Sequence, residues 1–125
     1  MRRPGVIRNA LLALWLGAGL GGCATTPSPA LPATRTVSVA PATVLEASLS
    51  MLMERGYVIL HADAELGRLE AVIARWPGYR LRLEIETNGG GEDSRLAMTA
   101  WRGGQPLPPS LVEPLLTELN ARLAR

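Results

Sequence analysis

The chain of 125 residues contains no lysine, so all 13 basic side chains are arginine. It has one histidine and one cysteine. Without lysine, the Gly89-Gly90-Gly91 run lacks the side chains a phosphate-cradling loop requires, and it is read as a hairpin tip. A lone His61, two residues from Asp63, does not make a zinc site, which needs several ligands at fixed spacing; a hydrogen-bonded structural role is expected for it. The lone Cys23 cannot close an intramolecular disulfide. None of Ser48, Ser50, Ser94 or Ser110 stands in a Gly-x-Ser-x-Gly elbow. The sequence thus predicts no catalytic residues, no cofactor and no metal, and the chain is expected not to be an enzyme. What is present, 47% hydrophobic and 19% charged residues over this length, excludes a disordered tail, a collagen-like repeat and a multi-domain protein.

Charge is unevenly spread. The first acidic residue is Glu46, whereas Arg2, Arg3 and Arg8 precede it, and Asn9 to Thr34 carries no charge at all. Setting aside residues 1–22 leaves 10 arginines against 11 acidic residues, a net charge of −1. The pI near 9.3 therefore belongs to the first segment, and net charge predicts neither nucleic acid nor anionic lipid as a partner of the remainder.

Three arginines followed by the apolar run Ala10 to Leu20 form the n-region and h-region of a secretory leader. As a helix, that run reaches about 16 Å, roughly half the ~30 Å hydrocarbon core, so it is too short to span a bilayer. It ends Leu20-Gly21-Gly22-Cys23. These four residues resemble the bacterial lipobox, an aliphatic residue and two small ones before a lipidated cysteine; the alternatives are an ordinary signal peptide or a buried helix. The resemblance implies cleavage after residue 22, a diacylglycerol on the Cys23 sulfur and a third acyl chain on the new N-terminus. Three chains anchor effectively permanently, because even two signals suffice for stable attachment. Ala24, where similar sorting signals would carry Asp for retention, implies the periplasmic side of the outer membrane.

Residues 24–34 have Pro27, Pro29 and Pro32 with no charge and no apolar periodicity, the pattern of a linker. In polyproline II they reach about 34 Å. The expected organisation is a leader over 1–22, a lipidated cysteine and tether over 23–34, and a periplasmic domain over 35–125.

Thr36 to Val39 alternates as a short strand. Pro41 suits the first turn of a helix, Thr43 with Glu46 forms a candidate capping box, and Leu45, Leu49 and Leu52, flanked by Ser48 and Met53, give its apolar stripe. Gly56 ends it. Tyr57–His61 reads as a strand and Asp63–Gly67 as a turn. Arg68–Arg75 is the next strand, with Leu69, Ala71 and Ile73 sharing one face. Trp76-Pro77-Gly78-Tyr79 is a turn, and Arg80–Glu86 alternates most clearly, with Leu81, Leu83 and Ile85 inward. After a glycine tip, Arg95–Trp101 puts Leu96, Met98 and Ala100 on one face. Val112, Leu115, Leu116, Leu119 and Leu123 then follow helical spacing, with Ser110 and Glu113 a second candidate capping box.

If residue numbers across the last hairpin sum to 181, Leu81, Leu83 and Ile85 face Ala100, Met98 and Leu96 while Glu86 meets Arg95, so apolar and charge pairing agree. The same register sets Arg80 opposite Trp101, a candidate cation–π contact. In the preceding hairpin, keeping Leu69, Ala71 and Ile73 inward requires a bulge or a three-residue loop, and a bulge is expected. The whole is an α+β two-layer sandwich: a four- to five-stranded antiparallel sheet with two helices on one face, in the order β-α-β-β-β-β-α.

The segment Leu52 to Ala71, with Leu52-x-x-x-Gly56-Tyr57-x-Ile59 and Asp63-x-x-x-Gly67-x-Leu69-x-Ala71, resembles the helix-grip domains of small outer-membrane lipoproteins such as BamC. That resemblance implies a non-enzymatic accessory of an envelope assembly. The candidate partner face is Arg80, Arg82 and Trp101 on the helix-free side of the sheet, because aromatic and arginine side chains cluster at protein interfaces. The expected partners are the bilayer, through acylated Cys23, and an envelope protein. The alternative is a carrier of a small apolar ligand held between helices and sheet.

Overall fold

Alternation in the longest strands sets the frame. In the computed structural model, which describes Gly22 and residues 31–125, Tyr79–Asn88 and Asp93–Arg102 pair over nine positions at the expected register, from Arg80 opposite Trp101 to Asn88 opposite Asp93. In chain order the elements are β1 (Ala33–Val37), α1 (Pro41–Glu54), β2 (Val58–Asp63), β3 (Arg68–Ile73), β4 (Tyr79–Asn88), β5 (Asp93–Arg102), the two-residue β6 (Gln105–Pro106), a 3₁₀ turn (Pro109–Leu111) and α2 (Glu113–Leu123). The sheet is antiparallel in the order β1-β5-β4-β3-β2, with β6 also on β5. Both helices cover one face, the α+β sandwich that the periodicities predict.

The inner face presents Leu69, Leu81, Leu83, Leu96 and Met98, all fully buried, against Val44, Met51 and Leu52 of α1 and Leu116 and Leu119 of α2. The apolar stripe of α1 is Val44, Leu45, Ser48, Met51 and Leu52; Leu49 is only half-buried and Met53 is exposed. Ser48 is accommodated because its hydroxyl donates to the Val44 carbonyl at 2.7 Å.

Neither capping box forms. Pro41 is already in the first turn of α1, so Ala40 is the N-cap and Thr43 lies two residues inside the helix. Ser110 is taken into the 3₁₀ turn, and Val112 caps α2 with no side-chain bond. The end of α1 does follow the sequence. Gly56 at φ 88° lets its own N–H reach Met53 O at 3.0 Å and the Tyr57 N–H reach Leu52 O at 2.9 Å, the paired bonds of a Schellman motif. Arg122 then bridges Glu54 and Glu118, and Arg55 pairs with Glu118, tying the C-terminal turn of α1 to α2. The bond from Arg122 holds the Glu54 carboxyl below its usual range and raises Arg122 in turn.

Two further expectations are corrected. The first strand begins at Ala33, inside the segment assigned to the tether, because Ala33 and Thr34 pair with Met98 and Ala97 and Ala33 is buried. The β3–β4 hairpin keeps Leu69 and Ala71 inward, opposite Leu83 and Leu81, without a bulge. A five-residue loop, Ala74–Gly78, absorbs the parity instead. The bulge lies in β2, where the register shifts between Ile59 and His61.

Candidate functional site

The outer face is built from the residues whose parity opposes the core. Across β3, β4 and β5 it runs in rows: Glu70, Arg82, Thr99; Val72, Arg80, Trp101; Arg68, Glu84, Ala97. Like charges never stand directly opposite, which favours this register. Arg82 donates to Glu70 Oε1 through Nε at 2.9 Å, its Nη2 stands 2.9 Å from the same oxygen as an ion pair, and Arg68 lies 3.9 Å from Glu84. Glu86 and Arg95 face each other one row further on, as predicted.

The guanidinium over the Trp101 ring belongs to Arg82, 5.4 Å from the centroid, rather than to Arg80. Arg80 is the direct cross-strand neighbour, but Arg82 sits diagonally, and a diagonal neighbour lies within reach of a long side chain. Glu70 fixes Arg82 in that position from the far side. The result is an ordered stack, Glu70–Arg82–Trp101, with Arg80 exposed beside it and outside any ion pair among the described residues. The stack walls an open cleft of about 550 Å³ whose floor and rim include Val72, Ile73 and Gly103. All three residues of the sequence-predicted face, Arg80, Arg82 and Trp101, line it. Glu70 was missed by sequence reasoning; its signal was outward parity between Leu69 and Ala71.

At one end of the sheet Tyr57 and Tyr79 meet edge to face, ring centroids 6.0 Å apart, with their hydroxyls hydrogen-bonded. Burial pushes the Tyr57 hydroxyl well above its ordinary range, and the bond to Tyr79 adds to the shift. A raised folded value means that this contribution is complete below the unfolded value of about 10 and is lost as pH rises beyond it. Thermal melting from about pH 8 to about pH 11 should therefore show Tm falling above about pH 10, with Tyr57→Phe flattening the fall. Equal falls in both proteins would place the loss at other groups.

Other sequence candidates remain dispersed. His61 is exposed on β2, opposite Glu70. Ser94 is buried, donating to Val39 O at 2.6 Å, while Ser50 and Ser110 are exposed. Among the described residues no group of three metal-ligating side chains comes together, and no helix is long and apolar enough to cross a membrane. Leu20, Gly21 and Cys23 of the lipobox lie outside the described residues, and Gly22 is exposed.

The fold is thus an antiparallel sheet backed by two helices, with an arginine–tryptophan cleft on its open face. No family model matches the chain, and no curated protein does. Among solved structures it is similar to the crystal structure of TTHA0849 from Thermus thermophilus, at 15% identity, covering 77% of this chain and 89% of that one with a TM-score of 0.37. A likeness that loose carries no argument about function.

Proposed function

We propose that the protein is a lipid-anchored, non-enzymatic accessory of the outer membrane, held through acylated Cys23 and docking an envelope protein on its helix-free face. The observation that carries the docking part is the Glu70–Arg82–Trp101 stack with Arg80 beside it. A braced Arg82 loses little conformational freedom on binding, and the tryptophan edge offers apolar contact. Arg80 brings a guanidinium that is unpaired among the described residues and can meet a partner carboxylate. The address rests on Leu20-Gly21-Gly22-Cys23 behind an arginine-led apolar run. The alternative, an apolar ligand between the layers, would need a cavity of roughly 300 Å³ there, where Leu69, Leu81, Leu83, Leu96 and Leu116 are packed at full burial.

Photocrosslinking in intact envelopes tests the face. A crosslinker at residue 80 should capture one envelope protein that a crosslinker at exposed Ser50 on α1 does not. Trp101→Ala or Arg82→Glu should abolish that product at a folding cost of about 1 kcal/mol or less. Leu83→Ala should instead cost about 2 to 5 kcal/mol as a truncation in the core. Undiminished crosslinking in the Trp101 and Arg82 variants, or a Trp101→Ala protein as unstable as Leu83→Ala, would remove this face from the proposal.

A further inference from the structure

The registers gather several chain segments at one end of the sheet. Ala33 pairs with Met98, so Leu31, two residues earlier, enters beside the C-terminal part of β5. The same end holds the start of β2, opposite Val72, and the β3–β4 loop Ala74–Gly78. Of the seven large apolar side chains exposed among the described residues, five lie here: Leu31, Met53, Val58, Trp76 and Leu111. Trp76 is 90% exposed and Leu31 72%. The loop that displays Trp76 is braced, because Arg102 donates to Gly78 O at 3.4 Å and to Pro77 O at 3.3 Å.

Charge divides along the same axis. Arg75, Arg80 and Arg102 belong to this end, and none of them is in an ion pair among the described residues, while the exposed Glu54 beside Met53 is paired with Arg122. Glu65 and Glu92 in the turns, with Asp63 and Asp93 at the strand ends that flank them, lie at the opposite end. A net charge near zero conceals this separation.

We infer that the end carrying Trp76, Arg75 and Arg102 rests on a phospholipid bilayer with anionic headgroups. Tryptophan rings settle at the headgroup level, and each basic side chain near an anionic surface strengthens binding about fivefold. The inference rests on the reading of Cys23 as the anchor. Cys23 is eight residues before Leu31, which keeps this end within about 25 Å of the lipid surface even with the chain in polyproline II. The acidic turns then point away from the membrane, and the Trp101 cleft opens sideways, where a neighbour in the same membrane can reach it.

The test uses the full chain with Trp15→Phe and Trp101→Phe, which leave Trp76 as its only tryptophan. The protein is purified from membranes and reconstituted into vesicles of phosphatidylethanolamine and phosphatidylglycerol. Trp76 emission is expected to shift to shorter wavelength, to be quenched by lipids brominated high on the acyl chain, and to lose access to aqueous iodide. Arg75→Glu, an exposed substitution whose melting should match its parent, is expected to reduce lipid quenching several-fold. Intact mass and flotation report the anchor separately. An acylated, floating protein whose Trp76 stays open to iodide overturns the inference and leaves the anchor standing. Lipid quenching in a protein that lacks the acyl mass upholds the inference while the anchor reading fails. Shielding of Trp76 in native envelopes but not on vesicles assigns this end to a protein partner and overturns it.

Discussion

Gly67→Ala is expected to destabilise the domain by about 3 to 5 kcal/mol, most of the margin of a small protein. Gly67 closes the β2–β3 turn at φ 62°, and a Cβ there would stand 2.1 Å from the Ile85 carbonyl oxygen in β4. The left-handed backbone alone costs an L-residue about 1 to 2 kcal/mol. The remainder comes from the collision, which can be relieved only by parting the turn from β4 and stretching the 2.7 Å bond from Ile85 N–H to Gly67 O. Backbone on both sides leaves no flexible side chain to yield. Gly89→Ala is the matched control, since Gly89 has φ 67° with nothing within 4 Å of the added methyl group. It should cost only about 1 to 2 kcal/mol. Urea midpoints for the two variants measure the difference, and equal midpoints would show that the approach of Gly67 to Ile85 contributes nothing.

The sheet was legible where two independent patterns agreed. In β4 and β5, Leu81, Leu83 and Ile85 demanded one parity and Glu86 with Arg95 demanded the same offset, so the register followed. In β3 the parity of Leu69 and Ala71 was equally clear, but how the chain preserves it was not. A five-residue loop and a bulge satisfy the same alternation, and only the geometry of Ala74–Gly78 separates them. The capping boxes failed, although Pro41 was expected in a first turn, because Pro41 and Pro114 occupy first-turn positions in the two helices, leaving Thr43 inside one helix and Ser110 in the turn before the other. The start of β1 was hidden because Ala33 and Thr34 read as linker by composition; what makes them strand is a partner some 65 residues away at Met98 and Ala97.

The candidate face was legible in part, for a related reason. One register places Arg80, Arg82 and Trp101 together, but the stack needs a second register as well, because Glu70 on β3 decides which arginine is held over the ring. The separation of acidic turns from the Arg75 and Arg102 end was invisible to net charge, which adds over the chain what the fold sets apart.

Cys23→Ala should abolish acylation completely rather than weaken it, since Cys23 is the only thiol in the chain. Without the sulfur there is no diacylglycerol and, on the lipobox reading, no cleavage. The variant should persist with residues 1–22 attached, heavier in its polypeptide and held in the inner membrane by an apolar run too short to span it stably. Parting of the domain from the outer membrane would follow, because the remaining contacts are reversible where three acyl chains are not. The direct measurement is the intact mass of the protein isolated from the outer-membrane fraction. A polypeptide beginning at Cys23 and carrying the mass of three acyl chains, with neither feature in Cys23→Ala, is the predicted result. A wild-type protein that keeps residues 1–22, or is cleaved there but carries no lipid, would contradict the anchor on which the functional account stands.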